Sequence, residues 1–468
     1  MSLDRRKGAL AGASVLALAL GIISPQAGAV DPEAWRNPEP EQVEVLLVRD
    51  ATIWTSGPQG ILEGGDLLVE NGRITAVAKA LEAPRGAVII DGRGKHVTPG
   101  IIDAHSHLAI TGGGNETGAS ITAEVRVADV IDSEDPTIYR QLAGGVTAAQ
   151  LLHGSANSIG GQSAVIKFRW GAPPGDLLFE GAPAAIKFAL GENPKRTNRN
   201  TGDRDHFPTT RAGIAQQIRE RFLAAEGYRA RWRRFRAGDG GQEPRRDLQL
   251  EALVEILEGE RRINAHSYRA DEILMLLSLG EELGFSVAVL QHVLEGYKVA
   301  DEIAAHGAGA STFSDWWAYK FEVLDAIPYN AALMHERGVV VSLNSDSDEL
   351  GRRLNLEAAK AVRYGGVAPQ EALKMVTLYP AIQMGVEDRV GSLEAGKDGD
   401  FALWSASPLS TQALCEETWI EGRRYFSRLE DLAARGEWEA ERKALIAKVR
   451  ALEKKPSGRG ERRKGEAP

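Results

Sequence analysis

Two histidines one residue apart, His105 and His107, end an apolar run in the stretch TPGIIDAHSHL, Thr98 to Leu108. Read as a buried strand, this segment puts both imidazoles on one face, roughly 6–7 Å apart at about 3.3 Å per residue. Asp103 falls on the same face. Two imidazoles at that spacing can grip a single cation from one side, and imidazole suits zinc and similar metals. A catalytic metal site needs further ligands and an open position for water.

Three further candidates end other apolar runs. His266 ends INAHSY, His292 ends SVAVLQHV, and Asp346 follows Val339 to Val341 in GVVVSLNSD. Singly, each has a plain structural explanation: a hydrogen-bonded histidine, or an aspartate capping the next helix. Together they are harder to dismiss, since four of the nine histidines and one aspartate then sit at strand C-terminal ends. Lys187, inside the apolar AAIKFAL, adds a fifth element. A buried lysine must be neutralised or paired to escape a large desolvation penalty. Carboxylation of its amine would make it an anionic oxygen ligand able to bridge two cations; an ion pair, or a tip reaching solvent, is the ordinary alternative. Lys167, in AVIKFRW, is a rival one strand earlier. His206, His306 and His335 lie in loop or helical patterns and read as solvated.

The elements that must position these residues are eight strand candidates: GIIDAHSHL, GVTAAQLL, SAVIKFRW, AAIKFAL, INAHSY, SVAVLQHV, GASTFSD and GVVVSLNSD. Helical patterns such as ADEILMLLSLGEELG and YNAALMHERG alternate with them, which implies parallel strands in an α/β fold. The expectation is a (β/α)8 TIM barrel over residues 99–387, its active site at the C-terminal strand ends. The third strand fits least well, because no helix fits between it and its neighbours. Short strands flank the barrel. Asn71-Gly72 between alternating apolar runs signals a hairpin, as Asp91-Gly92 signals a turn. Residues 30–98 and 388–428 therefore read as two parts of one small β-sandwich domain built from both chain ends. An arginine-dense insertion, 191–248, reads as a solvated or interface helix, or as a lid over the barrel mouth. Residues 429–468 read as a charged helix running into a disordered tail.

Composition sets the outer limits. The chain has 468 residues, 43% hydrophobic and 26% charged, with a net charge of −9, so nothing draws it to nucleic acid or anionic membranes. Residues 1–29 read as a signal peptide: Arg5, Arg6 and Lys7, an apolar run from Ala9 to Ile23, then Ala27-Gly28-Ala29 as the cleavage site. The expected location is periplasmic or secreted, by the general or the twin-arginine route, with no stable membrane anchor after cleavage. Cys415 is the only cysteine and reads as structural.

The motifs PGIIDAHSHL, GVTAAQ, SANSIGGQSAVIK, NAHSYRADEI, QHVLEGYKVADEIAAHGA, SLNSDSDELGRRLN and GSLEAGKDGDFALW together resemble the metal-dependent amidohydrolase superfamily, in particular its imidazolonepropionase-like branch. The resemblance covers Val43 to Trp404. It implies that His105, His107, His266, His292 and Asp346 are metal ligands, and that Lys187, carboxylated, bridges two divalent cations, zinc being the expected pair. It also implies hydrolysis of a carbon–nitrogen bond in a peptide-like or cyclic amide by metal-activated hydroxide, with Asp346 moving the proton. Tyr268 and Arg269, after the fifth-strand histidine, and Asn157, in the glycine-rich loop, are candidate substrate contacts. The expected partner is a small molecule or short peptide, and homo-oligomerisation is left open. Two alternatives remain. Deaminase relatives carry a glutamate shortly after the fifth-strand histidine, where this chain has no carboxylate until Asp271. A barrel that only binds would be favoured by a missing ligand, and none is missing.

Overall fold

The Asn71-Gly72 pair adopts the two successive positive φ angles, 49° and 79°, that a tight hairpin turn requires. It joins β2 (Ile61–Glu70) to β3 (Arg73–Ala78), and β2 pairs antiparallel with β1 (Val45–Trp54). Next come β4 (Val88–Asp91) and β5 (His96–Pro99). The computed structural model describes residues 37–197, 207–239 and 242–453. The expected leader and tail lie outside these residues.

Strands β6 (Ile101–Ser106), β7 (Val146–Leu151), β8 (Ile159–Lys167), β9 (Ala184–Ala189), β10 (Arg261–Ser267), β11 (Val287–His292), β12 (Gly309–Thr312) and β13 (Val341–Leu343) form the second sheet, a nearly closed barrel. Then β14 (Phe401–Trp404), β15 (Cys415–Ile420) and β16 (Arg423–Ser427) return to the first. That sheet runs β16-β15-β14-β5-β1-β2-β3, with β4 on β1, so both chain ends do build it. The pairing draws one continuous eight-stranded sheet and does not divide it into the two facing layers of the expected sandwich.

One strand corrects the all-parallel expectation. β8 runs antiparallel to both β7 and β9, while the remaining barrel pairs are parallel. Only residues 152–158 separate β7 from β8, too few for the dozen or so that a parallel crossover needs. This reversal carries the end of β8, Lys167, to the opposite end of the barrel from the histidines. There Lys167 is buried against Asp398 at 2.7 Å, Asp400 at 2.9 Å and Glu421 at 2.9 Å, with Arg169 and Arg389 binding the same carboxylates. Burial works against its charge, yet Asp400, Glu421 and Asp398 hold its amine above the usual lysine value. Lys167 thus fastens the barrel to the flanking sheet and is not a rival for Lys187.

The barrel also closes without strand-to-strand bonds between β13 and β6. Residues 375–376 fill the gap: Leu343 N–H donates to Met375 O and Ile102 N–H to Val376 O, both at 2.9 Å. The insertion contributes a 26-residue helix, Arg211–Arg236. Its buried face, including Ile214, Ile218 and Phe222, packs on the barrel wall, where Phe222 stacks on Phe285 at 4.3 Å. Its arginine-rich C-terminal half is mostly exposed, so it is a wall helix and not a lid. Cys415 is buried, its thiol pushed up to about 12 by desolvation, in keeping with a structural role.

Substituting Lys167 by Met strips three carboxylates of their shared buried cation. The expected loss is about 3–5 kcal/mol of unfolding free energy in urea titration; a loss below about 1 kcal/mol would show that the cluster is not a fastening.

Candidate metal centre

The apolar strands bring the named histidines to one end of the barrel. His105 Nε2 lies 3.3 Å from His107 Nε2, and Asp346 Oδ1 lies 3.2 Å from His107 Nε2 and 3.7 Å from His105 Nε2. The rings of His292 and His105 are 4.6 Å apart, as are those of His292 and His266. Asp346 Oδ2 is 3.9 Å from His292 Nε2. Lys187 is fully buried, its Nζ 3.3 Å from His105 Nε2. Two of these residues sit in the left-handed region, His292 at φ 73° and Asp346 at φ 44°. Such backbone strain, of order 1–3 kcal/mol per residue, persists where surrounding structure fixes it and concentrates at functional sites.

The chain fixes the histidine tautomers. His105 Nδ1 faces Gln291 Oε1 at 3.0 Å, and His107 Nδ1 faces the Leu152 carbonyl at 2.8 Å. Both acceptors require an N–H on Nδ1, which leaves each Nε2 lone pair facing the cluster. Gln291 is oriented in turn by Asn264, whose Oδ1 accepts from its amide at 3.0 Å. His266 is buried with neither ring nitrogen hydrogen-bonded, and His292 Nδ1 also has no partner among the described residues. Buried polar atoms are rarely left so. Burial pushes His105 and His266 well below the usual imidazole range and His292 down to about 3. Neutral imidazoles, a carboxylate and orphaned buried nitrogens are a donor set suited to a divalent cation. Burial also lowers the Lys187 amine to about 7, with Asp346 opposing. For Asp346, burial favours the neutral acid, but His107 and His292 hold it below the usual carboxylate value.

Asp103 does not face this cluster. Its Oδ1 accepts from the backbone N–H of His105 at 3.2 Å and of Ser345 at 3.1 Å, and Ser345 Oγ donates to Oδ2. It therefore ties the first histidine strand to the residue preceding Asp346. His153 is buried but satisfied, Nδ1 against Gly154 O and Nε2 accepting from Glu116 N–H. His306 is not solvated as expected: its Nε2 accepts from Val287 N–H at 3.1 Å.

Of the expected substrate contacts, Tyr268 joins the site and the other two do not. Its ring lies 4.5 Å from that of His266 and 5.5 Å from that of His292. Arg269 is turned to Asp271, Nε to Oδ1 at 2.9 Å. Asn157 is buried, its amide donating to Ala119 O. The sequence reading missed an aromatic wall from FSDWWAYK, residues 313–320. Phe313 stacks on His292 at 5.0 Å and on Trp316 at 4.2 Å; Trp316 meets Tyr319, whose hydroxyl donates to Tyr268 at 2.8 Å. The aromatic density of that run was the available signal.

Comparison with known proteins agrees with this geometry. Residues 327–428 match the model of the Amidohydrolase family. The solved structure of an amidohydrolase from Thermotoga maritima MSB8 superposes with a TM-score of 0.76 at 33% identity, covering 82% of this chain and all of that one. Amidohydrolase tasK of Hapsidospora irregularis is 31% identical over 425 residues, which is 81% of this chain but only 43% of that relative's length. An imidazolonepropionase of Cupriavidus necator is 25% identical over 74% of this chain and 86% of its own. A Xaa-Pro dipeptidase structure, 16% identical with a TM-score of 0.53 over 82% of this chain and all of its own, shares the fold. With four histidines, an aspartate and a buried lysine gathered at one barrel end, the chain belongs to the metal-dependent amidohydrolase superfamily.

Proposed function

We propose that this protein is an exported hydrolase that cleaves the C–N bond of a peptide-like or cyclic amide. In this reading His105, His107, His266, His292, Asp346 and a carboxylated Lys187 would hold two divalent cations, zinc the expected pair. The observation that carries the reading is Lys187. A fully buried amine whose only hydrogen-bond partner among the described residues is an imidazole nitrogen has no ion pair to keep it charged. With burial lowering it to about 7, the free amine is available near neutral pH to add carbon dioxide, releasing a proton and leaving an anionic carboxylate among the ligands. Bound divalent cations would supply Lewis acidity at the scissile carbonyl and acidify a water.

The chain's own residues do the rest. Asp346, held ionised beside His107, takes the proton of the attacking water on a carboxylate oxygen and passes it to the leaving nitrogen. Tyr268 accepts a hydrogen bond from Tyr319, which leaves its own phenolic proton to donate to a substrate oxygen, and burial keeps that phenol protonated. The Phe313–Trp316–Tyr319 wall suits an apolar or aromatic group next to the amide and shields the reacting atoms from bulk water. Arg269 is held by Asp271 through Nε and Nη2, which leaves its Nη1 donors for a substrate carboxylate. Asp271, engaged by that arginine, offers no free acid for protonating a heterocycle, which favours hydrolysis over deamination.

Three measurements test this reading. A panel of dipeptides, acyl-amino acids and cyclic amides should release free amine or open the ring, while heterocyclic amines release no ammonia; ammonia alone would install the deaminase reading. Asp346→Asn should retain the fold and most metal while turnover falls by roughly 10²–10⁴, and an unchanged rate would contradict its role. Gln291→Leu removes the acceptor that sets the His105 tautomer and should weaken metal affinity about 10–100-fold in chelator competition; unaltered affinity would show that Gln291 does not orient the ligand.

A further inference from the structure

The C-terminal helix, Arg428–Glu453, is 26 residues long, about 39 Å at about 1.5 Å per residue. Only its start is held. Asp431 is buried, against Tyr139 and Arg435, and from Gly436 to Leu452 every side chain except Ile446 is exposed. Such an unsupported helix is marginal in water, and a helix-interior glycine, Gly436, weakens it by roughly 1 kcal/mol relative to alanine. It nevertheless carries large apolar side chains in the open: Trp438 is 50% exposed, Leu445 51%, Val449 55% and Leu452 65%. At about 100° per residue these four fall within an arc of about 60°, a seam along one face, with Trp438, Leu445 and Leu452 at the seven-residue spacing of paired helices.

The charges beside the seam are segregated along the helix. Glu437, Glu439 and Glu441 precede Arg442, Lys443, Lys448 and Arg450. Among the described residues of the helix only the pair of Lys443 with Glu439, exposed and at 2.8 Å, joins the two groups. A parallel neighbour would set glutamates against glutamates and cations against cations. An antiparallel second copy, related by a two-fold axis through Leu445, does the reverse. Trp438 of one copy then meets Leu452 of the other. On one flank of the seam Glu441 faces Lys448 of the second copy, and the axis repeats the pair. The same surface is thus its own complement, as a closed two-fold interface demands.

We propose that this helix is a dimerisation arm that pairs antiparallel with the same helix of a second copy of this chain. Sedimentation equilibrium of the full chain tests it. The wild type should be dimeric at micromolar concentration, and Leu445→Asp should abolish the dimer. Glu441→Lys alone, or Lys448→Glu alone, turns two symmetry-related attractions into repulsions and should weaken association by at least roughly tenfold. Glu441→Lys combined with Lys448→Glu should restore it to within about threefold, because the pairs re-form with their signs exchanged. None of these residues touches the metal centre, so hydrolytic activity and circular dichroism report that each variant is folded. A monomeric wild type, as when a segment of its own chain or a membrane surface covers the seam, would overturn the proposal. So would a dimer indifferent to Leu445→Asp or to the single reversals, or one that the double exchange fails to rescue.

Discussion

The barrel mouth depends on one carboxylate. β13 and β6 do not hydrogen-bond to each other, so the first and last strands of the barrel need another tie. Asp103 supplies it at the histidine end, accepting from the backbone of both His105 and Ser345 and from the Ser345 hydroxyl. Asp346 N–H donates in turn to His105 O at 3.0 Å. Burial pushes Asp103 up to about 6 against these bonds, so neighbouring donors are what keep it useful as a tie. The closure that completes the barrel is therefore the same set of contacts that sets Asp346 against His105 and His107.

The reversal of β8 has a comparable reach. Strand direction decides which barrel end a strand-terminal residue serves, and the two buried lysines illustrate this. Lys167, at the end of the antiparallel strand, is surrounded by three carboxylates and stays charged as a fastening. Lys187, inside the parallel β9, sits among imidazoles with no carboxylate in ion-pair range among the described residues, and is driven toward neutrality. Two lysines in similar apolar strands thus acquire opposite electrostatic tasks from topology alone.

Much of the barrel was readable in advance because apolar runs ending in polar residues mark strands and their C-terminal ends. Six of the eight barrel strands fall within the segments so marked, β8 and β10 begin earlier, at Ile159 and Arg261, and His105, His107, Lys187, His266, His292 and Asp346 do converge. What escaped was information carried by pairing and by side-chain choice of partner. The short 152–158 connection held the signal that β8 turns back, but it reads as a missing helix until pairing is known. Alternation placed Asp103 on the ligand face, whereas its oxygens turn to the backbone N–H groups of His105 and of Ser345, 242 residues away. Arg269 follows a ligand histidine closely, yet Asp271, two residues on, captures it first. Left-handed φ at His292 and Asp346 has no residue signature at all. The aromatic wall was legible as the composition of FSDWWAYK, but not as a stack running out from His292.

The central claim is that Lys187 serves the centre as a carboxylate and not as an amine. Carbon-13 NMR of the metal-loaded protein equilibrated with ¹³C-bicarbonate tests it most directly. The account predicts a slowly exchanging carbamate carbon in the wild type, absent from Lys187→Ala prepared in the same way. A protein carrying two cations per chain with no such resonance would contradict it.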